Sequence, residues 1–566
     1  MCSDPDGYAG ADIGITTANW RSTRRQPSGF AEAALIEGKH AVARRDRVRG
    51  DVLILHCRMF ATGSTLECPD ERVFPISEIE HFDVIVVGAG ISGIDAAVHL
   101  QRQCPTRSMV IVEARANIGG TWDLFRYPGI RSDSDMYTLG YSFKPWRQAK
   151  AISDGPSILK YLDEAVREEG IHDRIRFGHH VTAAAWDSKS ARWLVTMRHA
   201  GNEVKLSCNF LHMCSGYYDY EEGFTPDFAG RERFTGRIVH PQHWPADLDY
   251  RGKRVAVIGS GATAMTLVPT LARDARQVTM VQRSPTYVIS RPAEDRFANT
   301  LQRLLPPKLA YGIVRWRNTL YHQVVFGLAR TWPGAVRRCL LARVRAQLDP
   351  GYDVATHFAP RYDPWQQRLC LVPDGDLFAA IRSGRANVVT DQIETFTETG
   401  IRLKSGKELA ADIIVTATGL KLLFLAGMAV TVDGRKVDFS RTFGYKGMMF
   451  SGVPNLSCVF GYTNSSWTLK ADLESDYLCR LLNHMQASGV HIVTPTVADP
   501  GLKPERWIDF SSGYFKRALG SFPKQGSQRP WKLYQNYFKD ILLFKFARLA
   551  DDSLRFSNAG HAVDAR

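Results

Sequence analysis

The stretch VVGAGISGIDAAVHL, residues 86–100, decides the fold of this 566-residue chain. It carries Gly88-x-Gly90-x-x-Gly93 between FDVIVV (82–87), an apolar run typical of a buried parallel strand, and a segment typical of a helix. Glycines at this spacing permit a tight turn and let the backbone approach a pyrophosphate, which then lies on the helix N-terminus. The motif alone is weak, but its place between strand and helix predicts a dinucleotide-binding turn.

An acidic residue follows this turn at a position that indicates which dinucleotide binds. The next apolar run, MVIVE (109–113), ends in Glu113, 20 positions after Gly93. A carboxylate there binds the two hydroxyls of an adenosine ribose and repels a 2′-phosphate. The first turn therefore predicts FAD or NAD and disfavours NADP.

A second glycine turn has the opposite charge preference. VIGSGATAMTLVP (257–269) reads Gly259-x-Gly261-x-x-Ala264, and the next strand, VTMVQRSP (278–285), ends with Arg283 and Ser284 and holds no acid. A cation with a hydroxyl suits the 2′-phosphate of NADP, although Arg283 could also be an ordinary surface arginine. Two such sites indicate a chain that binds FAD and NADPH and passes electrons from nicotinamide to flavin.

The order of these segments predicts an α/β fold with two Rossmann-like dinucleotide-binding domains, one for FAD and one for NADP, and a helical insertion. The predicted boundaries are 1–80 for a disordered N-terminal extension, 81–225 and 406–566 for the two parts of the FAD-binding domain (the second with the C-terminal segment), 226–296 and 361–405 for the two parts of the NADP-binding domain, and 297–360 for the helical insertion.

The composition is that of an ordinary globular protein, with 44% hydrophobic and 23% charged residues. Ten cysteines without a C-x-x-C pair suit reduced thiols and disfavour a disulfide scaffold or a zinc ribbon. No apolar run approaches the roughly 20 residues that span a bilayer, and the N-terminus does not resemble a signal peptide. We expect a cytoplasmic protein, either soluble or peripheral to a membrane.

The net charge of +14 is concentrated in two segments. Residues 301–350 hold nine Arg or Lys and one acid, and residues 501–550 hold ten and three. Such patches either attract an anionic membrane surface or anionic cofactor, or form a solvated face. No nucleic-acid motif accompanies them, so we expect no nucleic-acid partner and leave membrane contact open.

Two long motifs resemble a known family. GGTWDLFRYPGIRSD (119–133) matches the pattern [A/G]-G-x-W-x4-[F/Y]-P-[G/M]-x3-D of type I Baeyer–Villiger monooxygenases, and Phe234-x-Gly236-x3-His240-x3-Trp244-Pro245 matches their second fingerprint. Related flavin-containing monooxygenases usually carry Tyr or Phe in place of that tryptophan. The resemblance runs from about 81 to 550, and QRLCLVP (367–373) and GYTNSSWTLKADL (461–473) resemble a mycobacterial subgroup that includes an ethionamide-activating enzyme.

The resemblance implies an NADPH-dependent flavoprotein monooxygenase. Reduced FAD would react with O2 to form a C4a-peroxyflavin, which converts a ketone to an ester or oxygenates a sulfide or thioamide. Flavin disulfide reductases are excluded because their cysteine pair is missing. Three alternatives stay open: a flavin-containing monooxygenase acting only on N or S atoms, an NADPH oxidase or flavin reductase, and a basic membrane-surface or nucleic-acid-binding protein with a vestigial fold.

Site residues follow by position in the family motifs. Arg368 matches the active-site arginine, although it could instead be a salt-bridged surface residue, and Asp133 would lie near the flavin's reactive edge and orient that arginine. Ser92 lies in the first glycine turn, and Val181 would contact the adenine of FAD through its backbone. The resemblance further places four residues around the flavin: Thr121, Trp122, Asp123 and Leu124. It places eleven near NADP: Arg131, Ser132, Ser260, Gly261, Ala262, Thr263, Ala264, Met265, Thr266, Arg283 and Ser284.

The pair His240 and His243 could suggest a metal clip. Pro241 between them and Pro245 after them argue against one continuous helix. In the family this segment links the FAD and NADP domains, and His240 acts structurally. We therefore predict no metal site.

Overall fold

The computed structural model describes residues 79–367, 369–508 and 510–560. The predicted extension up to residue 78 lies outside the described residues, and so does Arg368.

The first glycine turn belongs to a large mixed sheet. Its parallel part has the order β23-β6-β1-β2-β3, and an antiparallel branch runs from β6 through β5 and β4, beyond which β19 and β20 lie. The strands are β1 (His81–Val87), β2 (Met109–Val112), β3 (Ile175–Arg176), β4 (His180–Asp187), β5 (Arg192–His199), β6 (Asn202–Met213), β19 (Ala429–Val432), β20 (Arg435–Lys436), β21 (Gly444–Tyr445), β22 (Met449–Phe450) and β23 (Leu456–Cys458). The centre of β1, residues 84–86, is fully buried, as expected for an apolar strand covered on both faces.

The second glycine turn belongs to a parallel sheet of order β13-β10-β9-β17-β8. Its strands are β8 (Arg237–Val239), β9 (Arg254–Ile258), β10 (Gln277–Gln282), β13 (Ala386–Thr390) and β17 (Ile413–Thr416). Because β17 lies between β9 and β8, the boundary predicted at 405/406 comes too early. The apolar run at 413–416 completes the second sheet, and the chain returns to the first sheet only at β19.

Short sheets connect and cover these two. The antiparallel pair of β7 (Tyr218–Gly223) and β18 (Leu420–Leu422) consists of the two crossings between the sheets. The others are the parallel pair β11 (Val288–Arg291) and β12 (Cys370–Pro373), the antiparallel sheet of β14 (Ile393–Thr397), β15 (Gly400–Leu403) and β16 (Glu408–Ala410), and the antiparallel pairs β24 (Ile492–Pro495) with β27 (Leu554–Ser557) and β25 (Pro504–Arg506) with β26 (Lys524–Gly526).

Helices pack on both sheets, and four of those described lie in the insertion. They are α1 (Ile91–Gln103), α2 (Thr121–Leu124), α3 (Met136–Leu139), α4 (Gly155–Glu168), α5 (Ala262–Leu271), α6 (Arg296–Leu304), α7 (Pro307–Thr331), α8 (Pro333–Arg345), α9 (Val354–Phe358), α10 (Asp376–Arg382), α11 (Trp467–Ala487), α12 (Gly513–Ala518) and α13 (Tyr537–Ile541), which continues as a π-helical turn at Leu542–Phe546. The α6–α8 helices are separated by prolines at 306, 307 and 333, which tolerate the first turn of a helix but not its interior.

The long helix α7 is fixed to the first domain by a buried arginine. Arg315 is 9% exposed, and its Nη1 donates to the carbonyls of Tyr137 (3.0 Å) and Gly140 (2.7 Å) at the end of α3. The last carbonyls of a helix lack partners within it and carry partial negative charge, so a guanidinium satisfies them well. The insertion is thereby held against α3, the short helix that follows the first fingerprint.

Candidate cofactor and substrate sites

Two positions of the first glycine turn leave no room for a side chain. Gly88 has φ +104°, and a Cβ there would lie 2.7 Å from the carbonyl oxygen of Cys214. A Cβ at Gly93 would lie 1.8 Å from the carbonyl oxygen of Gly88. Only glycine fits both positions, so the backbone between β1 and α1 stays open to a pyrophosphate at the start of the helix.

Glu113 is fixed beside this turn. It is 5% exposed, and its carboxylate accepts the backbone N–H groups of Ala89 (2.6 Å) and Arg115 (2.9 Å). Burial raises the pKa of Glu113, while these hydrogen bonds oppose the rise. The carboxylate is thus held at the end of β2, where a ribose of FAD would lie.

The predicted flavin-lining residues gather at the same edge. The backbone N–H of Gly119 donates to Ala89 carbonyl oxygen (3.0 Å), which brings α2, with Thr121, Trp122, Asp123 and Leu124, next to the glycine turn. Ser92 in the turn accepts the indole N–H of Trp467 at 2.7 Å, which places the start of α11 there too.

Two of the residues predicted to bind FAD, Asp123 and Val181, are described by contacts outside the glycine turn itself. Asp123 is buried and forms an ion pair with Arg115 at 2.7 Å. Val181 is buried in β4, and the chain just before it is joined to β2 by a bond from the N–H of His179 to the carbonyl of Glu113 (2.9 Å). Both positions agree with an FAD site at this edge, and their cofactor contacts stay predictions.

The second glycine turn is constrained at its first glycine. Gly259 has φ +135°, and a Cβ there would lie 2.1 Å from the carbonyl oxygen of Ala417, whereas a Cβ at Gly261 would meet no described atom within 4 Å. The hydroxyl of Ser260 donates to the carbonyl of Ser284 at 3.0 Å, which fastens the turn to the segment after β10. Arg283 is exposed there.

The residues predicted to bind NADP form the start of α5. Residues 262–266 (Ala262, Thr263, Ala264, Met265 and Thr266) are its first turn and a half, with Gly261 as the preceding cap. Such a helix start favours a phosphate, and an exposed cation after the neighbouring strand favours a second one. The arrangement fits NADP, and the role of Arg283 at the 2′-phosphate stays a prediction.

Arg131 and Ser132 lie at the contact between the two domains. The guanidinium of Arg131 forms an ion pair with Asp376 of α10 and donates to the carbonyl of Met265 at 3.4 Å. A Cβ at Gly129 would lie 2.1 Å from the Thr270 hydroxyl oxygen, so this loop packs tightly on α5. Ser132 is buried and bonded through its N–H to Ser153. The charge of Arg131 is paired with Asp376, and the contact of Arg131 with NADP stays a prediction.

The second fingerprint packs on the crossing strands. His240 accepts the N–H of Gln242 through Nδ1 (3.2 Å) and donates through Nε2 to the carbonyl of Gly419 (3.3 Å). A Cβ at Gly223 would lie 1.9 Å from His240 Cε1. Burial lowers the pKa of His240, in accord with a neutral ring whose two nitrogens are both used.

A cavity of about 110 Å³ lies where the first domain, the insertion and the segment around β12 meet. Asp133 lines it, as do Gln367 and Leu369, the two neighbours of Arg368. Its apolar walls include Ile152, Ile289, Val325, Trp365 and Leu371. Polar side chains, among them Asp133, Arg291 and His322, line the rest of it, so the space offers both apolar contact and hydrogen-bonding groups to a small molecule.

Several polar residues that line this cavity are not among the site residues predicted from the sequence. Arg291 contacts His322 (3.3 Å) and lies over the ring of Tyr321 (4.5 Å to its centre). Asn464 and Ser465 also line it, and each has a buried oxygen without a hydrogen-bond partner among the described residues. The only available signal for the last two was the family-like segment GYTNSSWTLKADL, and Arg291 and His322 had none.

Comparison with known proteins places the chain among flavoproteins. The model of the flavin-binding monooxygenase-like family matches residues 152–329, and that of an NAD(P)-binding Rossmann-like domain matches residues 86–152. FAD-containing monooxygenase EthA of Mycolicibacterium smegmatis is 52% identical over 487 residues, covering 86% of this chain and 99% of that protein. The chain belongs to the flavin-binding monooxygenase-like family.

Other relatives of this flavin-binding monooxygenase are likewise named as monooxygenases that contain or bind FAD. The putative FAD-containing monooxygenase MymA of Mycobacterium tuberculosis H37Rv is 47% identical over 487 residues (85% of this chain, 98% of that protein). The probable FAD-binding monooxygenase AlmA of Acinetobacter baylyi is 48% identical over 490 residues (86% and 98%). The prediction of an FAD-dependent monooxygenase is thereby confirmed.

Solved structures confirm the fold. An oxidized steroid monooxygenase bound to NADP superposes with a TM-score of 0.67 at 23% identity, covering 84% of this chain and 100% of that one. A cyclohexanone monooxygenase with bound epsilon-caprolactone gives 0.67 at 18% identity over 84% and 100%. The predicted α/β architecture with two Rossmann-like domains is correct, and the predicted cofactors agree with neighbours solved with FAD and NADP.

Proposed function

We propose that this monooxygenase uses NADPH and O2 to convert ketones to esters, and to oxygenate the sulfur of sulfides and thioamides. The position of the 110 Å³ cavity between the two glycine turns carries the proposal. On one side Ser466 lines it and precedes Trp467, which donates to Ser92 of the first turn. On the other, Leu369 and Leu371 line it and flank Cys370, whose thiol donates to the carbonyl of Ser260 (4.0 Å).

This position allows each part of the chain a distinct task. When bound, FAD would supply the redox chemistry by which NADPH activates O2: one oxygen atom of O2 goes to the substrate and the other leaves as water. The first turn and Glu113 retain FAD, and the second turn with Arg283 and Ser284 retains NADPH. The lining of the cavity is mixed: apolar side chains such as Ile152 and Leu371 would contact the body of the substrate, and polar ones such as Asp133 and Arg291 would face its reacting group.

Arg368 and Asp133 are proposed to act on the substrate side. Gln367 and Leu369 line the cavity, and we infer that the fixed positive charge of Arg368 stabilises the oxyanion that develops when oxygen adds to a ketone. Asp133, on the facing loop, would orient that guanidinium. A cyclohexanone monooxygenase of this fold was solved with epsilon-caprolactone, a cyclic ester, which supports the ketone reaction.

Product analysis separates this proposal from its alternatives. The FAD-loaded protein is supplied with NADPH, O2 and a ketone, a sulfide or a thioamide in turn, and NADPH loss, ester, sulfur oxide and hydrogen peroxide are measured. Ester from the ketone supports the proposal. Oxygenated sulfide without ester indicates a flavin-containing monooxygenase acting on soft atoms, and peroxide as the sole product indicates an oxidase.

A further inference from the structure

Helix α7 exposes an apolar stripe along its outer face. Its six residues, spaced three or four apart, lie on one side of the helix: Leu309, Ile313, Trp316, Leu320, Val324 and Leu328. Their exposed fractions run from 39% for Leu328 to 54% for Trp316. The opposite side, including Val314 and Thr319, is buried. Contiguous exposed apolar surface of this kind marks an interaction site in a folded protein.

The surface extends beyond α7. Trp316 stacks on Phe538 of α13, with ring centres 6.3 Å apart, and the helical segment that follows exposes Leu542 (57%) and Phe546 (74%). At the two ends of α7, Leu304 is 72% exposed and Trp332 60% exposed. The contact of Trp316 with α13 thus brings a second exposed apolar segment, distant in the sequence, beside α7.

Positive charge surrounds this face. Residues 301–348 contain no Asp or Glu. Arg303 and Lys308 are exposed next to Leu304 and Leu309, and Lys545 is exposed next to Phe546. Apolar residues in the middle with basic residues at the edges complement a bilayer that carries anionic headgroups, and tryptophan favours the same interface.

We propose that the apolar face of α7 and residues 542–546 docks on an anionic lipid bilayer, with α7 lying in the plane of the interface. Its 25 residues make it about 37 Å long. In the part of the chain that the structure describes, no helix is long and apolar enough to cross a membrane. The helix therefore lies on the bilayer with its apolar side among the acyl chains.

Docking would place the cavity close to the lipid. Tyr321, His322 and Val325 of the same helix line it. A lipophilic substrate dissolved in the bilayer would then reach the cavity past a single helix, a consequence that rests on the proposed function. The docking itself depends only on the surface.

Vesicle flotation of the full-length, FAD-loaded protein tests the docking. Phosphatidylcholine vesicles with and without phosphatidylglycerol are compared, in low and high salt. We expect co-flotation with the anionic vesicles, weakened by salt, and little with phosphatidylcholine alone. Absence of flotation at low salt overturns the proposal, and so does equal binding to both vesicle types.

Two double variants locate the contact. Leu320→Glu with Val324→Glu should weaken vesicle binding by about a hundredfold or more, because two apolar side chains lose their burial. Lys308→Glu with Lys545→Glu should weaken it by at least about tenfold at low salt. The matched control is Arg435→Glu with Lys436→Glu, the same charge change on two exposed residues of β20, which should bind as the parent does.

Turnover of a water-soluble sulfide without vesicles distinguishes the two proposals. The Leu320/Val324 variant should keep that turnover, since neither residue lines the cavity. If the parent floats but oxygenates nothing, docking stands and the proposed function falls. If ultracentrifugation shows a dimer that the Leu320/Val324 variant loses, and the parent does not float, the face binds a second copy and the lipid proposal is wrong.

Discussion

Arg131 and Asp376 form an ion pair, 2.5 Å between Nη1 and Oδ2, that joins the first fingerprint to the second nucleotide domain. Arg131 is 13% exposed and Asp376 22% exposed. The pair joins α10 of the second domain to the loop that carries Asp133, which lines the cavity.

Asp376→Asn should lower the free energy of unfolding by about 1–3 kcal/mol, because a half-buried guanidinium loses its charged partner. FAD content should be kept, and reduction by NADPH should slow. Asp247→Asn is the control: Asp247 is 77% exposed and its partner Arg237 is 50% exposed, so water screens this pair and its loss should change stability little. Denaturant unfolding and stopped-flow reduction measure both effects, and equal losses in the two variants would contradict the interpretation.

Arg283→Ala should raise the KM for NADPH by about tenfold or more and leave that for NADH nearly unchanged, because only NADPH carries the 2′-phosphate. Arg276→Ala is the matched control: it removes an exposed arginine just before β10, at the end of the strand opposite to Arg283. It should change the KM for neither NADPH nor NADH. Steady-state kinetics with both cofactors is the measurement. An equal rise for NADPH and NADH would remove Arg283 from phosphate recognition.

The glycine turns could be predicted because their requirement is local. Gly88 and Gly259 hold positive φ beside a carbonyl that a Cβ would strike, and this leaves a signature in a few consecutive residues. Glu113 and Arg283 follow at fixed distances along the chain, so their places at the strand ends could be predicted too.

Features that depend on packing between segments far apart in the sequence could not be predicted. The run at 413–416 is apolar and buried on both sides, but nothing within it tells which sheet it joins, so the predicted boundary at 405/406 precedes it. Arg291 and His322 meet only because β11 and α7 pack together. The helical insertion could be predicted, whereas the exposure of the apolar side of α7 depends on what the fold leaves uncovered.

Gly223→Ala should disturb the crossing between the domains, because its Cβ would lie 1.9 Å from His240 Cε1. His240→Ala should slow oxygenation with FAD still bound. The double variant should recover part of the stability lost in Gly223→Ala, since the smaller side chain makes room for the methyl group. A double-mutant cycle of unfolding free energies tests this, and strictly additive losses would contradict it.

The same variants address the metal question. Both ring nitrogens of His240 are engaged by the backbone, and His243 Nε2 lies 3.0 Å from the carbonyl of Glu221. We predict no stoichiometric transition metal by elemental analysis and full activity after chelation. Zinc at one equivalent that disappears in His240→Ala would show that the histidines are ligands.

Deletion of residues 1–78 should leave FAD content and turnover intact, because the first cofactor strand begins at His81. Removing 79 and 80 as well should cost about 1 kcal/mol or less in stability. Glu80 forms an exposed ion pair with Arg176 and accepts the N–H of Ser207 at 3.0 Å. Flavin absorbance per protein and thermal unfolding compare the two truncations. Loss of flavin from the shorter deletion would show that the extension supports the FAD site.

Arg368→Ala should separate cofactor binding from oxygen transfer. We expect FAD retention to depend on Gly88, Gly93 and Glu113 at the first glycine turn. Arg368 is not proposed to contact any of these three residues. The variant should therefore purify yellow and be reduced by NADPH. A preorganised charge facing a developing oxyanion typically contributes about 10²–10³ in rate. Ester formation should therefore fall by about that factor, and oxygen uptake should appear as hydrogen peroxide.

Arg368→Lys provides the matched control for charge without the planar guanidinium, and Asp133→Asn tests the group proposed to orient it. We expect Lys to restore a fraction of ester formation, because it keeps the charge but not the fixed geometry. Asp133→Asn should raise the share of peroxide while FAD content stays constant. The ratio of ester to NADPH consumed measures coupling in all three variants. Ester formation by Arg368→Ala at near the parent rate would exclude Arg368 from the chemistry and leave Arg291, the arginine that the structure describes in the cavity wall, as the cation to test next.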